Sequence, residues 1–447
     1  MAPAHAHAHA LPPSPNPAAL GEHAASASRS SHRTSAPPSS RAARTVLSLL
    51  GKLQHGTLDL HAPWGSRLFR HPLAAPGAPP PELRASMHLH DEAVFGQVLK
   101  SGDIGLAESY VEGRWTTPDL KRLLELFMRN RESLQRAVYG SPLGMLVHRL
   151  THWARRNSRR GSRRNIEAHY DLGNEFYAAW LDPTMNYSSA WWDGDFSLPL
   201  QQAQERKVQR ALDEARVGAG DTLLEIGCGW GAVAQAAVER GALVVGVTLS
   251  HEQLAYARQR LQGIERPHQV DLRLQDYRDL AAEVARRGRR YDGIVSIEMF
   301  EAVGRTYWPG YFEALAGCLE PGGRACVQVI VIRDDLFARY LRSTDFIQQY
   351  VFPGGLLPSA EVFRAEAVKG GLEVVRELAF GADYARTLAL WRASFHAERR
   401  RIEALGYDER FMRLWDFYLA YCEAAFATRQ TDVVQFTLRH KAGHAGR

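Results

Sequence analysis

A short apolar run that breaks into alternating glycines constrains this chain more than any other feature. The segment Leu223–Gly231 reads LLEIGCGWG, and a helical pattern follows it from Ala232 to Arg240. Glycines at a strand-to-helix turn let the backbone approach a ligand closely. The spacing G-x-G-x-G differs from the G-x-G-x-x-G of dinucleotide sites, and Glu225 precedes the first glycine. The pattern favours a ligand with a cationic amino-acid end, with a plain tight turn as the alternative. Its glycines are Gly227, Gly229 and Gly231.

Length and composition point to a globular protein of more than one domain. The chain has 447 residues, 45% hydrophobic residues and 10 Trp, which is enough for large cores. No stretch approaches the roughly 20 apolar residues of a membrane span, and the first residues lack the order of a secretory signal. Four cysteines without metal or disulfide spacing fit a reducing cytoplasm. A net charge of +6 permits an anionic partner without naming one.

Composition also divides the chain into segments. Residues 1–42 consist mainly of Ala, Pro, Ser and His, and we expect them to be disordered because they cannot bury enough apolar surface. Histidines 5, 7 and 9 could bind metal there, but a low-complexity tail is favoured and no metal site is predicted. The further predicted segments are an N-terminal domain at 43–152, a basic linker at 153–164, an α/β domain at 165–440 and a tail at 441–447.

Within the N-terminal domain, local patterns predict short strands or turns and then helices. The strand or turn segments are Gly51–Trp64 and Ala85–Phe95, and the helices are Asp91–Lys100, Leu106–Glu112 and Asp119–Val138. From residue 165 onward, strands alternate with helices, which predicts a doubly wound, Rossmann-like α/β sheet with ligands beyond the carboxyl ends of its strands. The predicted strands are Thr222–Ile226, Leu243–Leu249, Asp271–Leu274, Gly293–Ile297 and Ala325–Ile332.

Two of these strand ends carry polar side chains that suit a nucleoside. Thr248, Ser250 and Gln253 stand where many Rossmann proteins place an acidic residue on a ribose. The missing carboxylate weakens an NAD interpretation and leaves hydroxyl and amide groups for a ribose, with a helix cap as the alternative. After the next strand, Gln275 and Asp276 could meet an adenine amino group, with a surface turn as the alternative.

The strand ending at Ile297 is followed by Glu298 and Glu301. Carboxylates three residues apart at the start of a helix could simply favour the helix dipole. A glutamate among Met, Phe, Ala and Val is less easily explained in that way. Upstream, residues 169–192 are dense in aromatic side chains that surround the small polar triplet Tyr187-Ser188-Ser189. A hydrophobic pair of helices is the alternative there.

Taken together, these motifs resemble those of the cyclopropane-fatty-acyl-phospholipid synthase family, which includes the mycolic-acid cyclopropane synthases. The likeness runs from about residue 45 to 440, and the glycine turn is similar to the first motif of S-adenosylmethionine (SAM)-dependent methyltransferases. The motifs occur in the family's order: GDIGLAESYVEGRW, HYDLGNEFY, LDPTMNYSSAWW, LLEIGCGWG, GVTLS, QDYRD, SIEMFEAVG, YVFPGGLLPS and FGADYARTLALW.

The resemblance implies transfer of a methylene unit from SAM to the cis double bond of an unsaturated phospholipid acyl chain. An alkene is a weak nucleophile, so the sulfonium methyl must be held in line with it in a dry apolar pocket. Attack leaves a carbocation, and a base must remove a methyl proton before the ring closes. In the family that base is a bound bicarbonate.

The resemblance also implies which residues form the site. The predicted bicarbonate ligands are Ser189 (backbone), Glu301, Gln328, Ile330 (backbone) and Tyr384. The predicted SAM-binding residues are Tyr187, Ser188, Glu225, Gly227, Gly229, Gly231, Thr248, Ser250, Gln253, Gln275, Asp276 and Glu298. The faces of Tyr187 and Trp191 could steady the sulfonium or the cation.

Three positions depart from the best-known bacterial members. Ser189 replaces a Cys, Ala302 replaces a His, and Gln328 replaces another His. A backbone role tolerates Ser189, and Gln328 can still donate a hydrogen bond. The outcome of the cation is therefore open, and a methylene- or methyl-branched chain is the alternative product.

A lipid substrate implies contact with the inner leaflet of the membrane. The arginine-rich linker and the N-terminal domain could dock on anionic headgroups, with a solvated linker as the alternative, and Arg333 and Arg339 are a second candidate. The rival functions are a catalytically inactive lipid-binding protein and a nucleic-acid methyltransferase. The chain lacks the Asn/Asp-Pro-Pro-Tyr base-flipping motif of nucleic-acid methyltransferases, so no nucleic-acid partner is expected. The family is often dimeric, which makes a homodimer an expectation here.

Overall fold

The computed structural model describes residues 40–70, 83–134, 172–262 and 269–442. The basic linker, most of the two terminal tails and His169-Tyr170-Asp171 lie outside the described residues. The end of the predicted helix Asp119–Val138 and the proposed domain boundary at residue 152 lie outside them as well.

The N-terminal region is a small sheet packed with helices. Its strands are β1 (Thr57–Ala62), β2 (Gly65–Arg70), β3 (Arg84–Leu89) and β4 (Trp115–Thr116), in the order β2-β1-β3-β4. Its helices are α1 (Arg41–Leu50), α2 (Ala93–Ser101), α3 (Asp103–Val111) and α4 (Leu120–Arg129).

The predicted helix Asp119–Val138 is too long. Asp119 caps α4 by accepting from the Arg122 amide, as expected of an aspartate before an apolar run. The helix ends at Arg129, and the next residue, Asn130, has non-helical backbone angles (φ −98°, ψ +18°). Its Oδ1 accepts hydrogen bonds from the backbone of Gln54 and His55 at 2.7 and 2.9 Å. This long-range contact leaves no local signal in the sequence.

The remainder confirms the predicted doubly wound α/β architecture. Seven strands form one sheet in the order β10-β11-β9-β8-β5-β6-β7, and β11 is antiparallel to both of its neighbours. The strands are β5 (Thr222–Ile226), β6 (Leu243–Thr248), β7 (Val270–Leu274), β8 (Tyr291–Ile297), β9 (Leu319–Ile332), β10 (Leu372–Ala379) and β11 (Thr431–His440).

Helices cover this sheet and extend beyond its strand ends. They are α5 (Asn174–Trp180), α6 (Leu200–Glu214), α7 (Ala232–Glu239), α8 (His251–Leu261), α9 (Tyr277–Arg287), α10 (Trp308–Cys318), α11 (Asp334–Tyr340), α12 (Ala360–Lys369), α13 (Gly381–Ala397), α14 (Arg399–Ala404) and α15 (Glu409–Ala427). Short 3-10 turns span Phe300–Ala302 and Arg305–Tyr307, and a π-helical turn spans Ile347–Val351. Among the described residues, no helix is long and apolar enough to cross a bilayer.

One hydrophobic core joins the N-terminal region to the helices over the sheet. Leu58 and Trp115 belong to the same buried cluster as Trp391 and Trp415. Polar contacts reinforce the junction along α15. The Tyr110 hydroxyl donates to Asp416 at 2.8 Å, and the Tyr421 hydroxyl donates to Asp103 at 2.8 Å. The N-terminal region therefore shares its core with the larger region.

Candidate active site

The glycine turn lies between β5 and α7, at the point where the strand order reverses. Its three glycines have φ values of +86°, +49° and +86°, which side chains other than glycine rarely adopt. A Cβ at Gly227 or Gly231 would lie 3.0 Å from Met299 or Ala257, so these two positions are packed. A Cβ at Gly229 would meet no atom within 4 Å. Gly229 is therefore the glycine whose backbone faces open space.

That space is a cavity of about 330 Å³ at the carboxyl ends of the parallel strands. Most of the predicted site residues line it: Tyr187, Ser188, Glu225, Gly227, Gly229, Thr248, Gln253, Gln275, Asp276, Glu298, Glu301, Ile330 and Tyr384. Four predicted residues do not line it: Ser189, Gly231, Ser250 and Gln328. Residues predicted at separate strand ends therefore lie around one cavity.

Glu225 is a buried carboxylate with an unsatisfied oxygen. The side chain is 4% exposed, and Oε2 has no hydrogen-bond partner among the described residues. Burial raises the pKa of Glu225 well above its usual range, although the backbone of Ala234 and the charges of Lys207 and Arg260 oppose the shift. An unpaired buried carboxylate is costly unless a ligand completes it. Beside the glycine turn, a ligand ammonium would do so.

At the end of β6, one of the predicted ligand contacts forms a helix cap. The Ser250 hydroxyl accepts from the Gln253 amide at 3.2 Å, which caps α8, and Ser250 does not line the cavity. The helix cap that the sequence offered as the alternative is thus present, and ligand contact by Ser250 stays a prediction. Thr248 and Gln253 do line the cavity and are joined through their side chains at 3.2 Å.

Asp276 shows a similar division of roles. It lines the cavity, yet Arg278 donates from its guanidinium to both carboxylate oxygens at 2.8 and 2.5 Å. The same carboxylate caps α9 by accepting from the Arg278 amide at 2.9 Å. An adenine amino group would have to share oxygens that are already engaged.

Glu298 occupies an unexpected position at the end of β8. Three groups donate to its carboxylate: the Ser189 amide at 2.9 Å and Gln328 Nε2 at 2.7 Å to Oε1, and the Tyr384 hydroxyl at 2.6 Å to Oε2. Burial raises the pKa of Glu298, and the three donors and Lys207 oppose the shift. The pKa of Tyr384 is raised well above its ordinary value by burial and by Glu298, so the hydroxyl stays a donor. We call Ser189, Gln328 and Tyr384 the donor triad.

Two residues behind the donor triad carried no sequence signal. Gln435, which is fully buried on β11, donates from Nε2 to Gln328 Oε1 at 3.0 Å. Arg210 on α6 donates to Gln435 Oε1. Because an amide has one donating and one accepting end, this chain of contacts turns the Gln328 amino group toward Glu298. Both residues lie outside the motifs, in segments whose sequences look like an ordinary helix and an ordinary strand.

Lys207 is a third residue that sequence reasoning missed. It is fully buried on α6, and its Nζ donates to Ser188 Oγ at 2.6 Å and to Asn186 Oδ1 at 3.2 Å. Burial lowers its pKa to about 8, while the charges of Glu298, Asp182 and Glu225 oppose the shift. The side chain supplies positive charge among buried carboxylates.

Glu301 stands apart from the donor triad. Its Oε1 accepts from the Ile330 amide at 2.5 Å, and its buried Oε2 has no hydrogen-bond partner within the described part of the chain. Burial and the neighbouring Glu298 raise its pKa to about 8. The raised pKa favours the protonated form of Glu301, which can donate a hydrogen bond into the cavity.

Away from the glycine turn, the cavity has an apolar wall. The wall is formed by the π-helical turn, the loop after it, and helices α13 and α15. Its side chains include Ile347, Phe352, Leu356, Leu388, Tyr418 and Phe426. The Tyr187 and Tyr418 hydroxyls are joined at 2.7 Å where the polar and apolar parts meet. The cavity thus has a polar end and an alkyl-compatible end.

Comparison with known proteins shows the family of the chain. The sequence profile described as mycolic acid cyclopropane synthetase matches residues 157–436, which is more than half of the chain. The chain belongs to this family. It is an S-adenosylmethionine-dependent methyltransferase, as the motifs predicted.

Relatives along most of the chain support the assignment. The chain is 38% identical over 382 residues to tuberculostearic acid methyltransferase of Mycobacterium tuberculosis, covering 81% of this chain and 85% of that protein. It is 32% identical over 380 residues to cyclopropane-fatty-acyl-phospholipid synthase of Escherichia coli, covering 82% and 90%. A crystal structure of a mycolic acid cyclopropane synthase complexed with SAH and CTAB aligns with a TM-score of 0.57 and 33% identity, covering 62% of this chain and 98% of that one.

The two small molecules that the family implies fit this cyclopropane synthetase-type site unequally. SAM fits, since the turn exposes backbone at Gly229 and Glu225 offers an unsatisfied carboxylate oxygen. Bicarbonate does not fit as predicted. The donor triad already donates to Glu298, and the Ile330 amide already donates to Glu301. The predicted bicarbonate ligands therefore form two separate glutamate contacts, and Glu298 is placed with the triad.

Proposed function

We propose that the protein transfers a one-carbon unit from SAM to the cis double bond of an unsaturated phospholipid acyl chain, with a cyclopropane ring as the product. The observation that carries the proposal is the cavity that joins the glycine turn to an apolar wall. A nucleotide-like cofactor and an alkyl chain can meet in such a cavity. The relationship to a cyclopropane-fatty-acyl-phospholipid synthase supports the same substrate class.

Bound SAM supplies an electrophilic methyl group, and the protein positions it. Glu225 would hold the amino-acid end, and Gly229 would let the cofactor lie against the backbone. The apolar wall would exclude water, which otherwise captures a carbocation. Aromatic faces at the junction, including Tyr187, would stabilise positive charge on the acyl chain.

A methylene-branched product is the second candidate. The observation that favours it is the 38% identity to tuberculostearic acid methyltransferase. A hydride shift followed by proton loss gives the methylene chain without any further reagent. A saturated methyl branch would additionally need a reductant. The two candidates share the methyl transfer and differ in the next step: direct loss of a methyl proton closes the ring, whereas a hydride shift before the proton loss gives the methylene chain.

Lipid analysis tests the proposal and separates the candidates. Purified protein would be incubated with SAM and vesicles of dioleoylphosphatidylglycerol, and the acyl chains analysed by gas chromatography–mass spectrometry and proton NMR. We expect a gain of one CH2 group and upfield ring-proton signals. Vinylidene signals in place of ring signals would establish the branched product. Vesicles that remain unchanged, although the protein binds SAM in calorimetry, would contradict the proposed substrate.

Peripheral binding to the inner leaflet and a homodimer remain proposals that accompany this function. We propose docking through the N-terminal domain and the basic linker. Arg333 is a weaker docking candidate than its sequence suggests, because it is paired with Asp335 at 2.5 Å. Vesicle flotation with and without anionic lipid, and light scattering of the free protein, would test the two proposals.

A further inference from the structure

We propose that the Glu298 carboxylate is the base of this enzyme and stands in the place of the bicarbonate ion that the family resemblance implies. This inference rests on the proposed function and specifies which group accepts the proton. It assigns Glu298 a catalytic role in place of the predicted cofactor contact. It also makes the reaction independent of dissolved inorganic carbon.

The first argument is the chemistry of the donor triad. Three donors from three separate segments converge on one carboxylate at 2.6–2.9 Å. Ser189 and Gln328 are fully buried, and Tyr384 is 6% exposed. Carboxylate and bicarbonate share a planar O–C–O group with the same hydrogen-bond geometry, so donors that suit one suit the other. In this chain a side chain fills the position expected for the ion.

The second argument is the backbone at Glu298. Its φ of +49° lies in the left-handed region, which costs a side-chain-bearing residue about 1 kcal/mol or more. The backbone is held there by the Glu298 amide, which donates to the Gln328 carbonyl at 2.8 Å. A plain turn at this point would favour glycine. The strained conformation accompanies a carboxylate that points into the donor triad.

The third argument is that the polar groups around Glu298 favour its ionised form and oppose the burial that raises its pKa. An ionised carboxylate only accepts hydrogen bonds, and the triad only donates to it. Gln435 and Arg210 keep the Gln328 amide in the donating orientation. Lys207 adds a buried positive charge that acts on Glu298. Two hydrogen bonds end on Oε1 and one on Oε2, which leaves Oε2 with a free lone pair in a residue that lines the cavity.

The step balances without any other reagent. The alkene π pair forms a bond to the methyl carbon as the S–CH3 bond breaks, and the sulfur keeps that electron pair. Glu298 then takes one proton from the transferred methyl group. The C–H electron pair closes the ring onto the cationic carbon, and the protonated Glu298 later loses its proton to water.

Wild-type protein tests the inference without any mutation. Activity toward dioleoylphosphatidylglycerol vesicles would be measured in degassed, CO2-free buffer and again after bicarbonate is added. We expect a difference of less than about twofold. Activity that disappears in CO2-free buffer and returns with bicarbonate would overturn the inference while leaving the proposed function intact. Absence of activity under both conditions would contradict the proposed function itself.

Two variants sharpen the test. Glu298→Gly suits the left-handed backbone and opens the space in front of the donor triad, whereas Glu298→Gln fills that space with a group that is not basic. We expect both to lose activity by about 100-fold or more and to keep their affinity for SAM. Added bicarbonate should restore activity to Glu298→Gly and leave Glu298→Gln inactive.

The variants also give clear contrary results. Full activity in Glu298→Gln would show that another group accepts the proton. Glu239→Gln serves as the matched control, since it removes an exposed carboxylate on α7 that does not line the cavity. An active Glu298→Gln together with an inactive Glu301→Gln would return the base role to Glu301 and overturn the inference.

Discussion

Glu225 and Glu298 are two cavity-lining glutamates at neighbouring strands, and they differ in how many of their carboxylate oxygens accept hydrogen bonds from the protein. Glu225 lies within β5 and keeps an oxygen without a protein partner. Glu298 follows β8, and both of its oxygens accept from the donor triad. We expect a ligand to supply the missing hydrogen bond to Glu225. Glu298 already has its donors from the protein, and we propose that it replaces a bound anion. The contrast separates the cofactor end of the cavity from the chemical end.

The largest expected effect concerns the cofactor end. Gly229→Leu places a side chain in the open space beside the glycine turn, and we expect SAM affinity to fall by at least about 1000-fold, or about 4 kcal/mol. Calorimetry with SAM measures this. Gly194→Leu is the control, because Gly194 also has a positive φ and open space around it but does not line the cavity. Equal losses in both variants would attribute the effect to backbone strain.

The next effect tests Glu225, whose Oε2 has no hydrogen-bond partner among the described residues. Glu225→Gln keeps the shape but removes the charge, and we expect SAM to bind about 30-fold more weakly, since a hydrogen bond to a charged group contributes about 2 kcal/mol. The exposed Glu239→Gln on α7 removes the same charge outside the cavity. If SAM bound Glu225→Gln as tightly as wild type, the unsatisfied oxygen would have no role in cofactor binding.

A smaller effect tests Glu298 through Gln435, which contacts the donor triad at Gln328. Gln435→Glu keeps an acceptor for Arg210 but removes the donor to Gln328, so the Gln328 amide should turn its oxygen toward Glu298. That oxygen would disfavour the ionised form and raise the pKa of Glu298. We expect kcat to fall about 10-fold at neutral pH and the rising limb of the pH profile to move to higher pH. Gln202→Glu, an exposed change on α6, should alter neither, and an unmoved pH profile in Gln435→Glu would contradict a positioning role.

The smallest effect concerns stability, at the neighbouring Glu301. Its folded pKa of about 8 lies above the unfolded value of 4.5, so the folded state binds the proton more tightly. This contribution to stability is complete below pH 4.5 and is lost as the pH rises toward about 8. Glu301→Gln should therefore match wild type near pH 5 and melt about 3 °C higher near pH 9. Thermal melts at the two values decide it, and identical pH dependence would show that Glu301 titrates normally.

Much of the site was predictable because it follows from local pattern. The glycine turn, the strand ends and the order of the motifs were sufficient to place Glu225, Thr248, Asp276 and Tyr384 around one cavity. The partner of the donor triad was not predictable. Glu298 and Glu301 are three residues apart in the same motif, and their relative placement depends on a left-handed residue and on segments up to 109 positions distant.

The supporting residues were missed for a related reason. Lys207 and Arg210 lie in a helix whose sequence is rich in Gln, Glu, Lys and Arg and reads as solvent-facing. Only the tertiary fold buries Lys207 against Ser188. At Ser250 the sequence left two interpretations open, ligand contact or a helix cap, and the structure shows the cap.

Helix α15 gives the N-terminal region a share in the reaction chamber. Asp416 receives the hydroxyl of Tyr110 from that region, and Tyr418, two positions later, lines the cavity and meets Tyr187. This 19-residue helix thus contacts the N-terminal region through one set of side chains and lines the cavity with another. Removing the N-terminal region to obtain a minimal catalyst would therefore remove the side chains that pack against α15. It would also expose the aromatic residues of that helix to solvent.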